Sequence, residues 1–198
     1  MEAIEKIREI AAQAVPGSQV EIINSTPAAQ QPALLVDHEH LYMVAKFFKE
    51  DPRFQMDFCS CVTAVDYLPK GDKLGHIEVV YHLYSVAQKQ GPIVLKVRAP
   101  RALDQCRVPS LTPLWRGCDF QEREAYDLYG VKFDGHPDLR RILMWDEFTD
   151  HPMRKDYAPP ADYEWEPTPH DDTLERAVQE GGIMPPTARE DLEKAKKK

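Results

Sequence analysis

The stretch that decides the fold class is residues 75–100, GHIEVVYHLYSVAQKQGPIVLKVRAP. Its two ends, 75–86 and 92–100, are rich in β-branched and aromatic residues, which favour strands, and the polar run AQKQG between them is typical of a turn. Within the first run, two sets of residues alternate: Ile77, Val79, Tyr81 and Leu83 with His76, Glu78, Val80 and His82. This alternation predicts a sheet with one face in the core and the other face largely polar.

The residues before this stretch predict two helices and three further strands. Apolar residues recur at helical spacing from Ile4 to Val15, and Pro16-Gly17 ends that helix. A second helix follows Asp37, which can cap it, and Pro52 forces its end. Its apolar stripe is Leu41, Val44, Ala45 and Phe48. The strands are predicted at QVEIIN (19–24), ALLVD (33–37) and FQMDFCSCVTAVDYL (54–68), the first two as a hairpin.

The resulting order, α-β-β-α-β-β-β, predicts an α/β (α+β) fold. We expect a two-layer domain over residues 1–100, with helices on one face of a mixed or antiparallel sheet. Beyond Pro100 the regular periodicity fades, and a docking segment with a short helix and an extended course is predicted over 101–157. A Pro-rich acidic tail, extended or disordered, is predicted over 158–198 because it is too polar to build a second core.

Composition and charge exclude several classes of protein. The net charge of −8 argues against a nucleic-acid binder, which needs a dense basic face. No window approaches the roughly 20 apolar residues that span a bilayer. The start, MEAIEKIREIAAQA, indicates an amphipathic helix rather than a signal peptide. A soluble, cytoplasmic chain is therefore expected.

The residues that could bind a metal lack the spacing of a metal site. The four cysteines, Cys59, Cys61, Cys106 and Cys118, form no CxxC pair, which favours packing thiols over an iron–sulfur cluster or structural zinc. Neither His38 nor His40 has a partner at the i, i+4 spacing of a ligand pair. No metal site is predicted.

The segment from Asp119 to Tyr157 carries most of the candidate chemistry. It predicts a helix over about Phe120 to Tyr129 whose charges, at Glu122, Arg123, Glu124 and Asp127, leave no clean water-facing side. One interpretation is a surface helix with a solvated charge pair. The other is a helix enclosed by protein, whose charges need fixed partners because unpaired burial costs several kcal/mol. Aromatic residues among the charges favour the enclosed helix. A two-carboxylate active site is disfavoured, because residues two apart diverge by about 200° on a helix.

Two His-Pro turns follow this helix, each with a basic pair. His136-Pro137 precedes Arg140-Arg141, and His151-Pro152 precedes Arg154-Lys155. Arginine suits bidentate pairing at an interface, and its planar fork can also clamp a phosphate. The alternative is two solvated basic turns. Nucleotide binding has little support, because no glycine-rich phosphate loop precedes a helix.

Three ordered blocks, E-R-E-x-x-D-L-Y-G, F-x-G-H-P-x-L-R-R-I-L and H-P-M-R-K-D-Y, resemble a family signature. The family is the 30-kDa-type subunit of proton-pumping NADH-quinone oxidoreductase, respiratory complex I. The matching positions are Glu122, Arg123, Glu124, Asp127, Gly130, Gly135, His136, Pro137, Arg140, Arg141, His151, Pro152, Arg154, Lys155 and Asp156. The resemblance covers roughly residues 1–157. Asp150 departs from it, since a glycine is expected there, and this puts the backbone of the second turn in question.

The resemblance implies a peripheral-arm subunit without flavin, cluster or quinone of its own. FMN, iron–sulfur clusters and quinone are expected in partner subunits, and the chain is expected to pack on the 49-kDa-type subunit beside the terminal-cluster subunit. Membrane contact would be indirect, on the cytoplasmic side of the inner membrane. No catalytic, cofactor-binding or metal-binding residue is predicted. The predicted interface residues are Glu122, Arg123, Glu124, Asp127, His136, Arg140, Arg141, His151, Arg154, Lys155 and Asp156.

We therefore predict a scaffolding subunit that supports electron transfer from NADH to quinone coupled to proton translocation. A sibling alternative is the homologous subunit of a membrane-bound hydrogenase or a ferredoxin-dependent complex. Alternatives from other classes are a free-standing hydrolase using Glu122 or His136, and an adaptor outside bioenergetics.

Overall fold

The alternating stretch at 75–100 forms the centre of a sheet in the computed structural model, which describes residues 4–24, 32–71 and 74–158. Apart from Ala158, the predicted tail lies outside the described residues. In chain order the elements are α1 (Ile4–Ala14), β1 (Val20–Asn24), β2 (Pro32–Val36), a 3-10 helix (His38–His40), α2 (Leu41–Glu50), β3 (Phe58–Tyr67), β4 (His76–Ser85), β5 (Gln90–Pro100), β6 (Arg107–Pro109), α3 (Cys118–Tyr129) and β7 (Lys132–Asp134).

The five-stranded sheet has the order β1-β2-β5-β4-β3. Strands β2 and β5 pair in parallel, and the other neighbours pair antiparallel. The parallel pair requires a crossover, and here α2, β3 and β4 lie within it. The predicted mixed sheet and the predicted order of elements over the first 100 residues are confirmed.

The helices cover one face of this sheet. Helix α1 contributes Ile7 and Ala11 to the core, and α2 contributes its predicted stripe of Leu41, Val44, Ala45 and Phe48. The carboxylate of Asp37 accepts the backbone N–H of His40 at 3.2 Å, so the predicted cap forms at the 3-10 helix that leads into α2. The core-facing residues of β4 are Ile77, Val79, Tyr81 and Leu83, as the alternation predicts.

The opposite face of the sheet is more buried than the alternation predicts. Val80 packs there with Ala33 and Val94 in a second small apolar cluster. Glu78 on the same face is also buried, because β5 brings the Lys96 ammonium to 2.8 Å from its carboxylate. The prediction of a largely polar face missed this packing, since cross-strand neighbours decide it.

A register shift in β3 separates the two cysteines that were expected to share a strand face. The shift lies between Cys59 and Cys61, so Cys59 is buried while Cys61 is half-buried. Burial raises the pKa of the Cys106 thiol to about 11. A hydrogen bond with Cys59, together with burial, raises the pKa of Cys118. Thiols of this kind are poor nucleophiles and behave as packing residues.

Residues beyond 100 join the same core rather than forming an appendage. Cys106, Val108, Leu111, Trp115, Cys118, Ala125, Val131 and Phe133 all belong to the cluster that α1 and α2 enter. The Trp115 indole N–H donates to the carbonyl of Met56 at 2.9 Å. Strands β6 and β7 pair in parallel and were not predicted. Residues Met1–Tyr157 form one unit, so the predicted division at residue 100 does not separate two cores.

No helix in the described part of the chain is long and apolar enough to cross a membrane. Among residues 4–24, 32–71 and 74–158, no group of three or more His, Cys, Asp or Glu side chains is placed to hold a metal ion.

Candidate functional site

Helix α3 is the centre of the candidate site. It ends at Gly130, which has a φ of +77° and donates its N–H to the carbonyl of Tyr126 at 2.9 Å. This left-handed conformation favours glycine. A Cβ at Gly130 would also lie 2.6 Å from Leu103 Cδ2 and 2.7 Å from His151 Cδ2. Glycine is therefore required both for the turn and for the close approach of the second His-Pro turn.

Glu122 is fully buried and accepts hydrogen bonds from four groups of this chain. The donors are Ser110 Oγ at 2.6 Å, the Leu111 N–H at 2.8 Å, Thr112 Oγ1 at 3.1 Å and the Tyr81 hydroxyl at 3.4 Å. Burial raises the pKa of Glu122, and the hydrogen bonds oppose this only in part. The side chain holds the turn after β6 against the helix.

Arg123 lies one residue further along and is also buried. Its guanidinium donates to the backbone carbonyls of Arg140 and Arg141, each at 3.2 Å. It also lies over the ring of Phe120, 5.4 Å from the ring centre. Arg123 thus binds the backbone of the segment that follows the first His-Pro turn.

Asp127 binds the next stretch of that same segment. One carboxylate oxygen, Oδ2, accepts three consecutive backbone N–H groups: those of Ile142 at 3.1 Å, Leu143 at 2.7 Å and Met144 at 2.8 Å. The other oxygen, Oδ1, accepts the Arg141 guanidinium at 2.5 Å. Burial alone would raise the pKa of Asp127, but these donors outweigh it and hold the pKa below its ordinary value.

The first His-Pro turn packs on the N-terminal end of α3. The His136 side chain is fully buried, and its Nε2 lies 3.2 Å from the backbone carbonyl of Asp119. Its Nδ1 lies 3.1 Å from the backbone N–H of Asp138, which donates to it. Because Nδ1 accepts, the ring proton lies on Nε2 and is donated to Asp119.

The second His-Pro turn packs on the C-terminal end of α3, where a helix leaves four carbonyls without internal partners. Together with the Gly130 N–H, the turn supplies a donor to each of them. The pairs are His151 Nδ1 to Asp127 O at 2.9 Å, the Met153 N–H to Leu128 O at 3.0 Å and Arg154 Nη1 to Tyr129 O at 3.1 Å. In His151 the donor is Nδ1, so the two histidines use opposite ring nitrogens.

The second turn is also attached to the sheet through Asp66 on β3. Asp66 is buried and accepts a bidentate pair from Arg101 at 2.7 and 2.9 Å, and the Lys155 N–H at 2.8 Å. Arg101 also pairs with Asp156 at 2.8 Å. Burial would raise the pKa of Asp66, but these donors hold it below its ordinary value.

The structure corrects the predicted role of the helix charges. The prediction that protein encloses the helix is confirmed, since Glu122, Arg123 and Asp127 are all buried. Their assignment to partners in another subunit is wrong, because the enclosing groups belong to this chain. His136, Arg141, His151 and Arg154 also bond within the chain. Glu124, Arg140, Lys155 and Asp156 are exposed, and for these the interface assignment stays a prediction.

Some residues of this network were missed from the sequence. Ser110, Thr112 and Tyr81 lie outside the signature, and only the fold brings them to Glu122. Asp66 had a usable signal, because it follows Val62 and Ala64 at core-facing positions of β3. The expected change of backbone at Asp150 does not occur, since this residue has no positive φ and its carbonyl accepts Arg141 Nη2 at 3.1 Å.

The comparisons with known proteins identify the family. Residues 34–163 match the model described as respiratory-chain NADH dehydrogenase, 30 Kd subunit. The chain belongs to this 30-kDa family.

Curated relatives within the 30-kDa family are all named as a subunit of NADH-quinone oxidoreductase. The relative from Moorella thermoacetica is 47% identical over 64% of this chain and 79% of its own length. The relative from Citrifermentans bemidjiense is 39% identical over 69% of this chain and 80% of its own. The relative from Rhizobium meliloti is 41% identical over 63% of this chain. The match spans 65% of the Rhizobium meliloti protein and 62% of its Rhizobium etli counterpart, which is less than two thirds of each.

Two solved structures share the fold of this member of the 30-kDa family. A chain of the membrane-bound sulfane sulfur reductase, an archaeal respiratory membrane complex, matches with a TM-score of 0.60 and 26% identity, over 81% of this chain and 88% of that one. The trypsin-resistant fragment (1-134) of Nqo5 matches with a TM-score of 0.52 and 27% identity, over 69% of this chain and 98% of that one.

Proposed function

We propose that this chain is a non-catalytic, peripheral-arm subunit of a membrane-associated NADH-quinone oxidoreductase. Its work is to hold the cluster- and quinone-site subunits in place, so that electrons pass from NADH to quinone coupled to proton translocation. The partners are the 49-kDa-type subunit, the terminal-cluster subunit and other peripheral-arm subunits. These carry FMN, the iron–sulfur clusters and the quinone. The complex places the chain on the cytoplasmic side of the inner membrane.

The observation that carries this proposal is the use of the signature charges inside the chain. Glu122, Arg123 and Asp127 each bind backbone or side chains of their own chain, and both His-Pro turns cap α3. Residues fixed in this way shape a surface rather than react. Membership of the 30-kDa family and the shared name of its curated relatives support the assignment to an NADH-quinone oxidoreductase.

The free-standing hydrolase is disfavoured by the position of its candidate residues. Glu122 has no exposed surface, and the side chain of His136 is buried as well. Of two clefts in the described part of the chain, one lies beside Asp37 and the other beside Arg154, and neither is lined by Glu122 or His136. A substrate could reach neither group without opening the core.

A second candidate is the corresponding subunit of a respiratory complex with another electron donor. The likeness to a chain of the membrane-bound sulfane sulfur reductase favours keeping it. The docking and scaffolding role is the same in both candidates. They differ in the electron-input module, which is carried by other chains.

Purification through a tag on this chain, in mild detergent, tests the proposal. We expect the other subunits of an NADH-quinone oxidoreductase to copurify, with flavin and iron–sulfur absorbance and with NADH-to-quinone activity. Flavin-free material that is active with a different donor would select the second candidate. A chain that elutes alone, without flavin or iron, would overturn both.

A further inference from the structure

Residues 139–148, here called the docking loop, are held in one conformation by helix α3. Arg123 binds the carbonyls of Arg140 and Arg141, and Asp127 binds the next three N–H groups. The backbone of the loop is therefore fixed by buried ionic hydrogen bonds before any partner arrives. A pre-formed loop loses little conformational entropy when it binds.

The fixed loop presents apolar side chains to solvent. Leu143 is 60% exposed and Trp145 is 49% exposed. Phe120 is 64% exposed and lies at i, i+3 and i+7 with Arg123 and Asp127, on the stripe of α3 that the loop covers. Large apolar side chains on a pre-formed element are typical of interface anchors, among which Trp is enriched.

The charges around these side chains are acidic. Asp146, Glu147 and Asp150 are exposed, and no ion pair within 4.0 Å neutralises them in the described part of the chain. The two cations of the loop are already engaged, Arg140 with Asp138 and Arg141 with Asp127. A partner surface that fits the loop must therefore offer both an apolar groove and basic side chains.

This charge pattern discriminates among possible occupants. Residues 158–198 of this chain contain ten acidic and six basic residues, a net charge of −4. A second copy of the chain carries a net charge of −8. Neither complements an acidic rim. We propose that the docking loop, through Leu143 and Trp145, seats in an apolar groove rimmed by Lys or Arg on a different subunit; this rests on the proposed function.

A photo-cross-linker tests which surface covers the loop. p-Benzoylphenylalanine replaces Trp145 in the full chain, within the complex of the strain that produces it, and replaces Leu74 in a control. Leu74 is 90% exposed and lies outside the loop. We expect position 145, and not position 74, to cross-link to an apolar peptide of another subunit with an excess of Lys and Arg. A cross-link from position 145 to this chain, to a second copy or to an acidic peptide would overturn the inference, as would none in an intact complex.

Matched substitutions measure the contribution of the patch and the rim. Leu143→Ser, and separately Asp146→Lys with Glu147→Lys, should each weaken retention of the chain in the complex by roughly tenfold or more. Leu74→Ser is the control and should have no effect. Unchanged retention in both loop variants would overturn the inference while leaving the proposed function intact. If the wild-type chain does not copurify with redox subunits, the proposed function fails and this inference fails with it.

Discussion

Two carboxylates on α3, Glu122 and Asp127, are both buried and have opposite pKa shifts. The difference follows from their donors. Asp127 faces a guanidinium and three backbone N–H groups, which together favour the ionised form. Glu122 faces hydroxyl groups and one N–H, which are neutral and compensate less for the loss of water. The two groups therefore give stability opposite dependences on pH.

Glu122→Gln should remove one of these dependences. Because the folded pKa of Glu122 lies above its ordinary value of 4.5, the contribution of this group is greatest below that pH and falls as the pH rises through the folded pKa. Glutamine can accept the Leu111 N–H and donate to the Ser110 hydroxyl, which rotates freely. Relative to wild type, its free energy of unfolding in urea should therefore be higher at pH 7 than at pH 4.

Glu124→Gln is the matched control, because it makes the same change on the exposed side of the helix. Its difference from wild type should be alike at both pH values. If Glu122→Gln showed no gain between pH 4 and pH 7, burial would not be the dominant influence on Glu122.

At the scale of elements, α3 is a rod to which two turns of similar sequence are attached at opposite ends. Such a helix was predictable from its charges and aromatic residues, as α2 was from its apolar stripe. The partners were not, because His136 and His151 stand in the same His-Pro context yet bind different ends through different nitrogens. Strands β6 and β7 are three residues each, too short to show a period.

Gly130→Ala tests the attachment of the second turn. At Gly135, where φ is +83° and nothing lies within 4 Å of an added Cβ, alanine brings only backbone strain, roughly 1–2 kcal/mol. At Gly130 the added methyl must also displace Leu103 and His151, which costs about 1–3 kcal/mol more. Urea unfolding of the two variants should show the larger loss for Gly130→Ala. Equal losses would mean that the turn yields without cost.

At the scale of the whole molecule, residues 101–157 complete the core that the first 100 residues begin. The front half was predictable because its strands and helices are long and periodic. The contribution of the second half was not, because its apolar residues are scattered through turns, and only the fold collects Cys106, Leu111 and Trp115 onto the sheet. A docking surface carried on such a core moves with the sheet, which suits a scaffolding protein.

Truncation tests this arrangement. A 1–100 fragment loses the Trp115 side chain that lies over Met56, and it loses Arg101, leaving the buried carboxylate of Asp66 without its cation. Stranding one member of such a pair costs about 3–5 kcal/mol, a large fraction of the stability of a small domain. The 1–100 fragment should therefore show no cooperative urea transition, whereas a 1–157 fragment should show one by near-UV circular dichroism.

The variant Arg101→Ala in the 1–157 fragment separates the two causes. It removes the ion pair and leaves the core intact, so it should keep a cooperative transition at a lower urea midpoint. A cooperative 1–100 fragment would show instead that the core closes at residue 100. The segment after it would then be an appendage, and the rigid presentation of the docking loop would have to arise within 101–157 alone.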